Sequence, residues 1–174
     1  PLEIKKFELD ALKIKALFDD KVIEMPESIG IKTDEISKAS QIVMRNVNSM
    51  FYSRGKAIRL IDDGESSCLA LNKILLNKGF KTAIAVDERT TRLLGEKPEN
   101  LKNLMESKLH MEIEVRNLTN DFKGFIFFRS TELMYIALKK NLITMKDPKS
   151  FEAILYGVKF KGCSVSENEV LELI

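Results

Sequence analysis

Residues 58–92 constrain the fold more than any other stretch of the chain. Ile58–Ile61 leads into Asp62-Asp63-Gly64-Glu65, and an apolar-rich run follows from Cys68 to Leu76. That run is too long for a strand and poor in β-branched residues, so it predicts a buried helix. Asp63 stands where an N-cap is needed, Glu65 falls in the first turn and Gly79 supplies the stop. Thr82–Val86 comes directly after, apolar on both faces, and closes on Asp87-Glu88-Arg89. Such a run predicts a central parallel strand with acids at its carboxyl end.

The rest of the chain alternates in a similar way. Ile4, Phe7, Ala11, Ile14 and Phe18 recur at helical spacing, predicting an amphipathic helix over 3–18. Lys21–Met25 reads as a short β-like run stopped by Pro26. A helix fits 33–53, with Ile36, Ala39, Val43, Val47 and Met50 on one face and Gly55 closing it. Pro98–Ser107 reads as helix, Met111–Val115 as a strand, and Ser130–Lys140 as a helix turning Leu133, Ile136 and Ala137 inward. Asp147-Pro148 caps and opens a helix that runs to about Phe160. Ser166 and Glu169 match a capping box for the last helix. Helices alternating with short apolar strands predict an α/β fold with a parallel sheet covered on both faces. No repeat or Pro/Gly-rich linker interrupts the sequence, so 1–174 reads as one domain with one sizeable core.

Composition narrows the function. No run of eighteen apolar residues exists, and the N-terminus lacks the apolar stretch of a signal peptide, so a cytoplasmic protein away from membranes is expected. Cys68 and Cys163, far apart in apolar segments, read as buried free thiols of a reducing compartment. The net charge of +2 sets up no global basic field. Lys5-Lys6, Lys139-Lys140 and Lys159/Lys161 read as solvated helix faces. His110 is the only histidine and precedes a strand away from the acids, so it reads as a surface or packing residue, and no Ser/His/Asp or Cys/His arrangement can be built on it. Gly64 stands isolated, without a Walker loop or dinucleotide fingerprint.

The acids therefore carry the chemistry. In open α/β sheets, ligands bind beyond the carboxyl ends of the strands, where Asp87 and Glu88 stand. A helix antiparallel to the strand brings its first-turn Glu65 to the same edge. Two carboxylates brought together repel unless a proton or a cation stabilises them. Oxygen ligands without His or Cys beside them suit Mg²⁺ or Mn²⁺ rather than zinc. A purely structural reading stands beside this one, because acids at a helix start also stabilise its dipole. Arg89 and Arg92 either pair with the acids at the surface or contact phosphate.

Asp63-Gly64-Glu65, Leu69-Ala70-Leu71 and Ala85-Val86-Asp87-Glu88-Arg89-Thr90-Thr91-Arg92 together resemble the second half of a PIN domain. The likeness is to the archaeal and bacterial branch with a "GE…A…A" helix followed by "DD…AR". Thr131–Ile143, ending in Lys140-Asn141-Leu142-Ile143, is similar to that branch's "A…GLI" helix. Phe151–Ser166, with Gly162 and Ser166, is similar to its "GF.IS" ending. The likeness covers roughly 58–170. It implies a three-layer α/β/α fold around a mainly parallel sheet, and cleavage of RNA with Mg²⁺ or Mn²⁺. The family includes VapC-type toxins and RNA-processing nucleases, which implies an RNA substrate, an antitoxin-like protein partner and a homodimer.

Carried over, Glu65 matches the helix-starting acid and Asp87 the acid after the later strand, with Glu88 the alternative in that role. Glu8 is assigned to the family's early-helix acid, with Glu3 as its alternate. The family's Asp ending a first strand has no counterpart, since no apolar strand precedes Pro1. Either an N-terminal strand is missing from the chain or the protein lacks one metal ligand and is a non-catalytic module. Ser130 and Thr131 open a helix and are placed either to reach the site or simply to cap.

Overall fold

A computed structural model describes residue 5, residues 8–144 and residues 147–174. It divides into two units, Pro1–Ser37 and Lys38–Ile174, with a mixed α/β content that is 58% helix and has only short strands. Helix packing therefore supplies most of the framework.

In the first unit, α1 (Glu8–Asp19) forms where the sequence predicts a helix. The expected inward face is not buried: Ile14 is 51% exposed, and no residue of α1 is buried. Ile4, Phe7 and the alternate acid Glu3 lie outside the described residues. Lys21–Met25 is not a strand. Lys21 takes a left-handed φ of 56°, and the N–H groups of Val22 and Ile23 donate back to the Leu17 carbonyl. Those bonds satisfy the Leu17 carbonyl left open at the helix end, and they hold the segment as a helix closure. A 3-10 turn over Pro26–Ile29 follows. α2 (Thr33–Asn48) runs from the first unit into the second.

The second unit corrects the end of that helix. The helix stops at Asn48, and β1 (Phe51–Ser53) turns into β2 (Lys56–Ala57) through Arg54 and Gly55. Both turn residues have positive φ, 49° and 77°, as a two-residue hairpin of right-handed strands demands. Met50 fitted the helical period because it is fully buried, and burial alone does not distinguish a helix from a strand entry. Asn48 seals the junction, its side-chain oxygen accepting from the N–H groups of Leu60 and Ile61.

α3 (Asp63–Asn77) forms as predicted, with its N-cap at Asp62, one residue earlier than expected. Gly79 follows at φ 84°. β3 (Ile84–Ala85) is the core of the predicted strand. It pairs in parallel with β5 (Phe127–Phe128), Ile84 opposite Phe127, and Ile84 and Val86 donate to Ile126 and Phe128. One face only is buried, since Ala83 and Ala85 are exposed while Ile84 is 6% exposed. α4 (Arg89–Glu96) and α5 (Leu101–Leu109) come next, and β4 (Glu114–Val115) pairs antiparallel with β1.

The buried side chains of α2–α5, β1, β3 and β5 form one core, with Phe51, Leu69, Leu94 and Leu101 fully enclosed. Gly95 is required there: a Cβ would stand 2.6 Å from the Phe127 ring and 2.8 Å from the Phe122 carbonyl. α6 (Ser130–Lys139), α7 (Pro148–Phe160) and α8 (Glu167–Glu172) enclose a second core around Phe151, Leu155, Cys163 and Val170. α6 meets it with Met134, Tyr135 and Leu138, while Leu133, expected inward, is 42% exposed. The expected caps of the last two helices are present. Asp147 accepts from the Lys149 N–H, and Ser166 and Glu169 bond reciprocally.

Candidate functional site

Asp87 follows the carboxyl end of β3, and its neighbours come from the opening of α6. Its carboxylate accepts from the Ser130 N–H at 2.7 Å and from the Ser130 hydroxyl at 2.6 Å. The Asp87 carbonyl accepts from the Ser164 N–H at 3.1 Å. Partial burial pushes the Asp87 pKa upward. The two Ser130 bonds, the Cys163 thiol and the nearby Arg92 charge outweigh it and hold the carboxyl below its ordinary value. Asp87 is thus an anion already hydrogen-bonded by protein. Burial and the adjacent Asp87 in turn push the Cys163 thiol up, away from thiolate.

Glu88 and Glu65 face elsewhere. Glu88 caps α4, accepting from the Thr91 N–H at 2.7 Å and the Thr91 hydroxyl at 3.2 Å. Burial opposes its ionisation, but the bonds from Thr90 and Thr91 keep its pKa lowered. Glu65 turns back on its own helix, accepting from the Asp62 N–H at 3.1 Å. Glu65 and Glu88 line one cavity of about 330 Å³, together with Asp62, Arg59 and Lys108. Arg59 is ion-paired with Asp62. The structure therefore brings Glu65 together with the alternate acid Glu88, and Asp87 is not part of that lining. Glu8 lies on α1 in the first unit, and its side chain is exposed. Among the described residues no three His, Cys, Asp or Glu side chains are grouped to hold a metal ion. As placed, these carboxylates do not fit one hard divalent ion, because Glu65, Glu88 and Asp87 are each engaged by a cap or a hydroxyl and Glu8 belongs to the first unit.

A second feature borders Asp87. A cleft of about 770 Å³ runs between α4 and the α7–α8 segment. Arg89, Arg92, Lys97 and Lys159 line it against Glu96 and Glu169. Glu169 shares Arg129 with Glu132: the guanidinium donates to Glu169 at 2.6 Å and to Glu132 at 2.7 Å. Arg92 is only partly satisfied. It donates to the Ser164 carbonyl at 3.3 Å and stands 3.9 Å from Glu96, while its buried Nε has no hydrogen-bond partner among the described residues. The cleft thus presents four cations against two carboxylates, with the unpartnered Nε of Arg92 buried behind its wall.

Sequence reasoning placed Ser130 and Arg92 near the site but missed Arg129 as a hub, the capping role of Glu88 and the part of Phe160 in the cleft wall. Glu88 is not among the residue types that favour an N-cap, so its capping role left no readable signal. Arg129 and Phe160 acquire their neighbours only by packing. Cys68, expected buried, is exposed, whereas Cys163 is buried as expected. Among the described residues no helix is long and apolar enough to cross a membrane. No family model, curated protein or solved structure matches the chain.

Proposed function

We propose that this chain is a PIN-like module that binds RNA through the cleft between α4 and the α7–α8 segment. One observation carries the reading: four cations, Arg89, Arg92, Lys97 and Lys159, line that cleft against two carboxylates, Glu96 and Glu169. Such a surplus, held on a local face of a chain with a net charge of only +2, suits a polyanion better than a neutral or cationic ligand. The three-layer α/β/α arrangement around a mainly parallel sheet belongs to the same proposal, as do a cytoplasmic location, a homodimer and an antitoxin-like partner. Metal-free RNA binding tests the reading. Fluorescence anisotropy with a labelled RNA in EDTA should show saturable binding by the parent chain. The Arg89→Gln/Lys159→Gln double variant should bind about tenfold or more weakly at moderate salt. Equal affinity of the two proteins sinks the proposal.

Metal-dependent RNA cleavage is the second reading, favoured by the cavity that Glu65 and Glu88 share. It requires these carboxylates to leave their present partners for Mg²⁺ or Mn²⁺. Calorimetric titration with Mn²⁺ tests it, comparing the parent chain with Glu65→Ala and Asp87→Ala. Heat lost in both variants supports an ion held by those acids, whereas a parent chain that binds no Mn²⁺ removes the reading.

A further inference from the structure

Phe160, the last residue of α7, is 81% exposed, more than any other large hydrophobic side chain among the described residues. An exposed phenyl ring loses the free energy it would gain by burial, so its position asks for a reason. Its ring stacks on Tyr156, with centroids 6.3 Å apart and planes 28° from parallel. Lys159 Nζ stands 5.6 Å from the same Tyr156 ring. Phe160 is therefore supported from below and open above. It also lines the cationic cleft, beside Arg89, Lys97 and Lys159. A flat apolar face among cations does not match an apolar protein surface, which would leave those charges desolvated. It does match a ligand that carries negative charge and planar rings on one backbone.

We propose that Phe160 is a base-stacking platform that makes the cleft selective for single-stranded over duplex RNA. This rests on the RNA reading above. In a single strand the base faces are free to lie on the ring while Arg89, Arg92 and Lys159 hold the neighbouring phosphates. In a duplex the faces are taken by adjacent bases, and only the phosphates remain to be bound.

The test is anisotropy in EDTA at fixed salt, with a labelled single-stranded RNA and with the same strand annealed to its complement. The parent chain is expected to prefer the single strand. Phe160→Ala should weaken single-strand binding about tenfold and leave duplex binding unchanged, and Phe160→Trp should restore the preference. Equal single-strand affinities for the parent chain and Phe160→Ala overturn the platform while leaving the RNA reading intact. Absence of any RNA binding by the parent chain overturns both. Sedimentation of the two proteins supplies a further arm. A parent dimer that Phe160→Ala converts to monomer assigns the ring to a subunit interface and overturns the platform.

Discussion

Asp87 shows how much one carboxylate depends on its neighbours. Its ionised form is favoured by Ser130, which supplies both a backbone and a hydroxyl donor. Ser130→Ala removes the hydroxyl bond alone, so we expect a loss of about 1–3 kcal/mol, read from the urea midpoint. Glu169 offers the pH test. Burial pushes its pKa up, but the Ser166 N–H, Arg129 and the Ser166 hydroxyl bring it down to about 2, from an ordinary 4.5. A depressed folded-state pKa contributes stability that is fully present above 4.5 and is lost as pH falls through 2. Glu169→Gln keeps the capping geometry and removes the charge facing Arg129. The carboxylate is 42% exposed, so screening limits the cost to about 1 kcal/mol at pH 7. That difference between parent and variant should shrink towards zero near pH 2, and a difference independent of pH would disprove the assignment. Gly95 is the third such residue. Gly95→Ala drives a methyl into the Phe122 carbonyl and the Phe127 ring, for a loss of about 1–3 kcal/mol in thermal or urea unfolding.

At the scale of elements, α3 makes Glu65 ambiguous in a way that two substitutions resolve. Its side chain bonds the Asp62 N–H at the helix start, a role that Gln performs and Ala does not. Glu65→Ala should cost about 1 kcal/mol and Glu65→Gln much less. Chemical denaturation checks the pair. If RNA cleavage exists and Glu65→Gln abolishes it with stability retained, the carboxylate acts beyond its cap. The helix start was legible because acids near a capping position act through local backbone geometry. β5 was not legible, since Phe127-Phe128 is a two-residue strand whose alignment is set by Ile84 across the sheet. α4 escaped for a related reason. Its Thr90 and Thr91 are buried despite their hydroxyls, which find partners in Glu88.

Across the second unit, the two cores have separable consequences. Leu155 is fully buried with Phe151 and Val170 in the core of α6–α8, and that core forms one wall of the cleft. Leu155→Ala should cost about 2–5 kcal/mol, with faster amide exchange in α6 and α7 than in α3. Uniform acceleration across both cores would show that the second unit unfolds only as a whole. RNA affinity is the matching electrostatic test. Three cations engaged on phosphates predict a slope of about −2 in log K against log salt for a single strand. Arg89→Gln should reduce that slope by about 0.7. A slope unchanged by Arg89→Gln would place its guanidinium off the backbone.

What depends on near neighbours along the chain is written in the order of residues. The positions of α1, α3, α6 and α7, the caps at Asp147 and Ser166, the stop at Gly79 and a strand near Ile84 all follow from spacing within a few residues. Helix bonds span four residues and caps three, so their signals are written locally. Which acids meet depends on how the elements pack. Asp87 is claimed by Ser130, forty-three positions away, and Glu65 shares its cavity with Glu88. The same holds for the cleft, whose cations come from α4, its C-cap Lys97 and α7, and whose exposed ring belongs to a helix end. Strand pairing and helix packing bring those groups together, and neither leaves a periodicity that a local reading detects.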